Sequence, residues 1–235
     1  LECTENCANN APNAMTVMAL SKRNYLFRAP DTYMNKFVTN RLYKDVVSLD
    51  YSIEDNISNI CEKSGKSSDE INAIVLERPR NQYIVDALKK MNVNIDMISD
   101  GDIVASLKVA SEEADIYMGI GSAPEGVIAA TATKGLGGFF DGKLYFHSDE
   151  ARERAIEMSN YSIEKKLDIN KLCASDNSMF IATGVCDGWI PGVEIKEDRA
   201  FTSSLLIDVK AEKMIKISNS YSISKINKYI LEGVK

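Results

Sequence analysis

The chain has 235 residues and a mass of 26.0 kDa, with 45% apolar and 26% charged residues, which excludes disordered, collagen-like and coiled-coil classes and allows two small domains or one large one. Lys and Arg number 28 against 34 for Asp and Glu, a formal charge of −6 without long runs of one sign, so the surface is not that of a nucleic-acid binder. No stretch approaches the roughly 20 consecutive apolar residues of a membrane-spanning helix, so no membrane partner is expected.

The N-terminal residues, LECTENCANN, lack both a Met and the charged and apolar regions of a signal peptide, which reads as a processed chain or a fragment. The first segment, 1–68, carries two strand-like runs, Ala14–Leu20 and Asn35–Asn40, and a helical run over Ile53–Lys63. The polar EKSGKSSDE that follows reads as a linker, giving an expected division into 1–68 and 69–235.

From Ile71 onward short apolar runs alternate with helical stretches, the signature of an α/β layer with largely parallel strands. INAIVLE is a strand, followed by a helix over Asn81–Lys90 with Ile84, Val85 and Leu88 on one face. NVNIDMIS precedes a helix over Asp102–Ala110, and ADIYMGI precedes one over Pro124–Lys134. Gly135, Gly137 and Gly138 stop that helix, and FFDGKLYF is expected to turn on Asp141-Gly142. A helix over Asp149–Met158 and strands at SMFIATG, Phe201–Val209 and Lys213–Ile217 complete the chain.

Five cysteines, Cys3, Cys7, Cys61, Cys173 and Cys186, contain no CxxC pair and predict free thiols in a reducing compartment, the cytoplasm. The single histidine, His147, lies in LYFHSDE with no Cys or His cluster around it, which disfavours zinc and histidine-based catalysis. Carboxylates, hydroxyls and basic groups are left to carry the chemistry.

Ligands of open α/β sheets bind at the carboxyl ends of the strands. Arg78-Pro79-Arg80 follows the first strand of the layer, Asp100-Gly101-Asp102 the second, and GIGSAPEG, residues 119–126, the third. A guanidinium pair, a carboxylate pair and a glycine-rich turn opening a helix suit a phosphorylated, hydroxyl-rich small molecule. Pro79 stiffens the backbone between the two arginines, which favours a bidentate phosphate donor, although either arginine could be an exposed surface charge. Asp102 taken alone reads as the N-cap of its helix, whereas Asp100 is available to sugar hydroxyls. Pro124 suits the first helical position, and a helix N-terminus attracts anions. Glu125 alone would only complement the helix dipole, but beside two ligand-like loops it becomes a candidate ligand for Mg²⁺ or Mn²⁺, which prefer carboxylate oxygens. The spacing GxGxxxxG departs from the dinucleotide fingerprint GxGxxG, which leaves a nucleotide-binding oxidoreductase a distant reading.

ERPR at Glu77–Arg80, DGD at Asp100–Asp102, GIGSAPEG, KGLGG at Lys134–Gly138 and ATGVCDG at Ala182–Gly188, in this order, resemble the class II fructose-1,6-bisphosphatase family, some members of which also hydrolyse sedoheptulose 1,7-bisphosphate. APDTYM at Ala29–Met34 resembles that family's APDMYM, and LECT at the N-terminus resembles the last four residues of its DPLEGT. The resemblance implies the layered α/β fold of the lithium-sensitive, metal-dependent sugar phosphatases, with the first domain incomplete. It implies Glu2 and Glu125 as metal ligands, Mg²⁺ or Mn²⁺ as cofactor, and Thr4 as the hydroxyl that aligns the attacking water. Glu2, Cys3, Thr4, Tyr33, Arg78, Pro79, Arg80, Asp100, Gly101, Asp102 and Ser122 are implied around the sugar bisphosphate. A homo-oligomer is implied as well.

Two residues depart from the family pattern: Cys3 and Ser122 each stand where the family has Gly. The aspartate of the family signature and further carboxylate ligands would fall before Leu1. A truncated or non-catalytic sugar-phosphate binder is therefore the competing expectation.

Overall fold

The computed structural model describes residues 1–158, 163 and 165–225, which divide into two compact units. In chain order the elements are α1 (Thr4–Ala8), β1 (Met15–Leu20), β2 (Tyr33–Thr39), α2 (Ile53–Ser64), β3 (Asn72–Leu76), α3 (Gln82–Lys90), β4 (Asn94–Ile98), α4 (Asp102–Ala110) and β5 (Ile116–Ser122). They continue with α5 (Ala123–Gly135), β6 (Phe139–Tyr145), α6 (Asp149–Met158), β7 (Leu167–Asp168), α7 (Ile169–Leu172), β8 (Met179–Gly184), β9 (Glu194–Lys196), β10 (Arg199–Asp208) and β11 (Lys213–Ser222).

The larger unit spans residues 19–180 and 207–213, so the boundary expected after Ser68 lies inside it. Its six-stranded sheet runs β4-β3-β5-β2-β6-β7. β3 pairs in parallel with β4 and β5, while β2 is antiparallel to both β5 and β6, and β7 is antiparallel to β6. Strands β3 to β6 therefore share one direction, as the alternating pattern predicts, and the expectation of a largely parallel sheet is corrected by β2. That earlier strand inserts against the grain between β5 and β6.

The central strands β2, β3 and β5 are buried on both faces. Phe37 of β2 joins Ala73 and Val75 of β3, Ile116 and Met118 of β5, Ile57 and Ile60 of α2, and Ile84, Val85 and Leu88 of α3 in one apolar cluster. Met34, Lys36 and Val38, on the opposite face of β2, are fully buried, and α4 and α5 pack against this strand. The unit thus has helix, sheet and helix layers.

Local signals set the helix ends. The Ser52 hydroxyl accepts from the Asp55 amide at 3.0 Å, Lys63 lies in the last turn, and Gly65 takes φ +72° after α2. The turn expected at Asp141-Gly142 is not formed, because both residues lie within the continuous strand β6. Asp141 is buried and accepts from the Leu49 amide and Lys166 Nζ, each at 3.1 Å. A Cβ at Gly142 would stand 2.5 Å from Met34 Sδ, so this glycine serves close packing instead of a turn.

The smaller unit comprises residues 1–18, 181–206 and the described part of 214–235. It carries most of a sheet ordered β1-β8-β10-β11, with β9 antiparallel to β10. The Val185 and Cys186 amides of the ATGVCDG segment donate to Ala14 O at 2.8 and 3.1 Å.

Candidate functional site

Because β4, β3 and β5 are neighbours running in one direction, the three segments that follow them emerge at one edge of the larger unit's sheet. Antiparallel β2 begins where β5 ends, with Tyr33 opposite Ser122, and β6 brings Tyr145 opposite Tyr33 on the other side. Tyr33, Arg78, Pro79, Arg80, Asp100, Gly101, Asp102, Ser122 and Glu125 are brought to this edge. The APDTYM segment is tied down there: the Ala123 amide donates to Thr32 O at 2.8 Å, and Thr32 Oγ1 donates to Tyr145 O at 3.0 Å.

The two arginines part. Arg78 precedes a 3-10 turn over Pro79–Asn81, and its guanidinium donates to Glu77 O at 2.8 Å and Ser99 O at 2.6 Å, tying the end of β3 to the end of β4. Arg80 reaches the opposite neighbour, with Nε donating to Ile120 O at 2.8 Å and Cζ lying 4.3 Å from the Tyr33 ring centroid. Both arginines are half-buried and Pro79 is exposed. Asn81, unremarked in the sequence, is buried and clips β3 to β5 by donating to Leu76 O at 2.8 Å and accepting from the Ile120 amide at 3.0 Å.

Gly101, not Asp102, caps α4. Its φ of 105° is open to glycine at no steric cost, and Asp102 becomes the first residue of the helix. Asp100 Oδ1 accepts from the Gly101 amide at 3.0 Å. Asp102 is buried and forms an ion pair with Lys36 Nζ, which is fully buried in the middle of β2. The sequence reading missed Lys36. Its signal was a charge standing between Met34 and Val38 in the core-facing phase of the strand.

The glycine-rich segment differs from the turn expected of it. Gly119 and Gly121 lie within β5, with α5 starting directly after Ser122. A Cβ at Gly121 would come 1.9 Å from Asp102 Oδ2, so its bareness accommodates a carboxylate of this chain. Ser122 is the N-cap of α5 and accepts from the Glu125 amide at 3.5 Å. Glu125 is half-buried in the first turn, and burial raises its pKa above the ordinary carboxylate value. Lys36 opposes that shift, whereas Asp102 and Asp100 add to it. His147 packs edge-on against Tyr33 at 5.5 Å between centroids, a contact that its sequence context did not reveal.

In the smaller unit Glu2 is buried and bridges Met15 through its backbone, with its amide donating to Met15 O at 2.8 Å. Cys3 is buried with φ 58° and ψ 56°, the left-handed region that favours glycine, and it caps α1. The expected departure at this position thus falls on a backbone conformation made for Gly. Thr4 opens α1 and is exposed.

Glu2 lies in the smaller unit and Glu125 in the larger, and each is a carboxylate, the hard oxygen donor that divalent cations such as Mg²⁺ take. Among the described residues, however, no three His, Cys, Asp or Glu gather to hold a metal ion, so these residues do not compose a complete metal centre. No helix among the described residues is long and apolar enough to cross a membrane.

The family described as bacterial fructose-1,6-bisphosphatase, glpX-encoded, matches residues 1–221. A D-fructose 1,6-bisphosphatase class 2/sedoheptulose 1,7-bisphosphatase of Prochlorococcus marinus (strain MIT 9301) is 35% identical over 222 residues, covering 88% of this chain and 67% of that protein. The protein of the same name from Synechococcus elongatus is 33% identical over 221 residues, covering 88% of this chain and 64% of its own length. The chain therefore spans about two thirds of the length of these curated relatives. With the ordered motifs, the shared strand-end edge and a match over nearly its whole length, the chain belongs to the bacterial, glpX-encoded fructose-1,6-bisphosphatase family.

Proposed function

We propose that this chain hydrolyses the 1-phosphate of fructose 1,6-bisphosphate to fructose 6-phosphate and inorganic phosphate, and that it accepts sedoheptulose 1,7-bisphosphate at the same site. One observation of the structure carries the reading: the segments after β3, β4 and β5 meet the start of β2 at one sheet edge. A cation, a carboxylate pair, an aromatic ring and a helix N-terminus assemble there.

Arg80 is the principal clamp for the phosphate that is not cleaved. Its Nε is committed to Ile120 O and its Cζ lies over the Tyr33 ring, which fixes the guanidinium with its terminal nitrogens left for phosphate oxygens. Arg78 contributes mainly by holding Glu77 and Ser99, and so the Asp100-Gly101-Asp102 turn, in place. Asp100 accepts from sugar hydroxyls. Ser122 shapes the start of α5, whose amides favour an anion.

Membership of the family implies a divalent metal requirement. Glu125 of the larger unit is a residue that would hold Mg²⁺ or Mn²⁺, Glu2 of the smaller unit is of the same donor type, and the metal when bound would supply charge stabilisation at phosphorus and a water of lowered pKa. Thr4 would offer the hydroxyl that aligns that water. The layering of the larger unit supports the lithium-sensitive phosphatase superfamily, and the five free cysteines support the cytoplasm.

The test is phosphate release from fructose 1,6-bisphosphate and sedoheptulose 1,7-bisphosphate with each metal. Release that is abolished by EDTA and by Thr4→Val is expected, with Arg80→Ala raising KM about tenfold or more, the loss of one charged hydrogen-bond donor. Unchanged KM in Arg80→Ala would remove that loop from the substrate. No release from either ester with either metal would refute the activity.

A further inference from the structure

Lys36 is an expensive residue. It occupies the middle of a central strand, fully buried, with Met34 and Val38 as its neighbours in phase. Burying an ammonium and a carboxylate carries a large desolvation penalty for each ion, and an apolar pair of similar volume commonly serves stability as well or better. The surrounding backbone is nevertheless bare around this pair. A side chain at Gly121 would strike Asp102 Oδ2, and a Cβ at Gly126 would stand 2.7 Å from Met34 Sδ and 3.3 Å from Lys36 Cε. β5 and α5 thus give up side chains where the pair packs.

The position of the pair points to a use. Asp102 ends the Asp100-Gly101-Asp102 turn, while Gly121 and Gly126 flank the Ser122–Glu125 turn. Lys36 Nζ holds the first turn by a direct ion pair, and its stem lies beside Gly126, the residue that directly follows the second. It enters from a third element, β2, whose first residue is Tyr33, the ring under Arg80.

We propose that Lys36 is a positioning residue for substrate binding: through its buried ion pair with Asp102 it locks the Asp100–Asp102 turn against the Ser122–Glu125 turn, so that both present their polar groups to one sugar phosphate. This rests on the assignment of the strand-end edge to substrate.

The experiment is calorimetric titration of the chain and its variants with fructose 6-phosphate. In Lys36→Met the dissociation constant rises at least tenfold in protein that still unfolds cooperatively. In Arg80→Ala it rises as well, which marks the edge as the binding site independently of Lys36. In the unsubstituted chain, the ¹⁵Nζ resonance of Lys36 shifts on saturation with fructose 6-phosphate, a response that a purely structural lysine would not give. This readout decides the matter where Lys36→Met does not fold. Binding within twofold of normal in Lys36→Met, or an unmoved Lys36 resonance, with Arg80→Ala impaired, overturns the role of Lys36 alone. No binding by the unsubstituted chain, or full binding by Arg80→Ala, overturns the site assignment and the proposal with it.

Discussion

Replacing Lys36 by Met keeps most of the side-chain stem and removes the ammonium. Lys36 and Asp102 are 0% and 3% exposed, so the substitution leaves a carboxylate buried with its cation gone. Breaking a buried pair from one side costs about 3–5 kcal/mol. For a chain of this size each kcal/mol lowers Tm by about 2–4 °C, so a fall on the order of 10 °C is expected. Removing both charges in Lys36→Met/Asp102→Leu behaves differently, because neither ion then needs solvation. The double variant loses only the acid's favourable place in the first turn of α4, about 0.3–1 kcal/mol, and is expected within about 1 kcal/mol of the unsubstituted chain. Urea unfolding followed by circular dichroism measures both, with the coupling energy taken from the cycle. A single variant that loses less than about 1 kcal/mol, or a double variant as unstable as the single, would refute the buried-ion argument.

Asp115 accepts from Tyr43 Oη at 3.0 Å, Lys66 Nζ at 2.8 Å and the Asn72 amide at 2.8 Å. Burial, and then the Asp115 charge, raise the Tyr43 phenol above its ordinary 10.0, and the hydrogen bond to Asp115 raises the Lys66 amine above 10.5 although burial opposes it. Both groups hold protons more tightly folded than unfolded, so their contribution is complete below pH 10.0 and is lost as pH rises through the folded values. Thermal melts should fall above that pH less steeply in Tyr43→Phe than in the unsubstituted chain; identical slopes would contradict the assignment. Gly142→Ala, which sets a Cβ 2.5 Å from Met34 Sδ, should cost about 1–3 kcal/mol in urea unfolding, whereas a glycine in a turn of ordinary φ would gain stability from the change.

The sequence made some of this legible and hid the rest for identifiable reasons. α2 was readable because its ends are written locally, in Ser52 and Gly65, and the run from β3 to α5 because short apolar runs alternate there with longer helical stretches. The antiparallel insertion of β2 was not readable, since pairing partners lie 77 or more residues apart and no turn joins them. Asp141-Gly142 looked like a turn because composition cannot tell a glycine that bends the chain from one that makes room for Met34. The strand-end segments could be named in order from sequence, but the parting of Arg78 and Arg80 depends on β4 and β5 flanking β3 on opposite sides. Lys36 escaped because a lysine in a strand ordinarily faces solvent, and only the fold shows that this one meets Asp102. Cys3 carried its warning openly: a family glycine was replaced, and the backbone there has φ 58°.

Backbone amide shifts recorded during titration with fructose 6-phosphate test most directly whether the segments following β3, β4 and β5 act on one sugar phosphate. Perturbations concentrated at Tyr33, Arg80, Asp100–Asp102 and Ser122–Glu125 are predicted. Perturbations confined to the opposite helix layer, around Tyr51 and Tyr83 on the 560 Å³ cavity beside α2 and α3, would contradict the account.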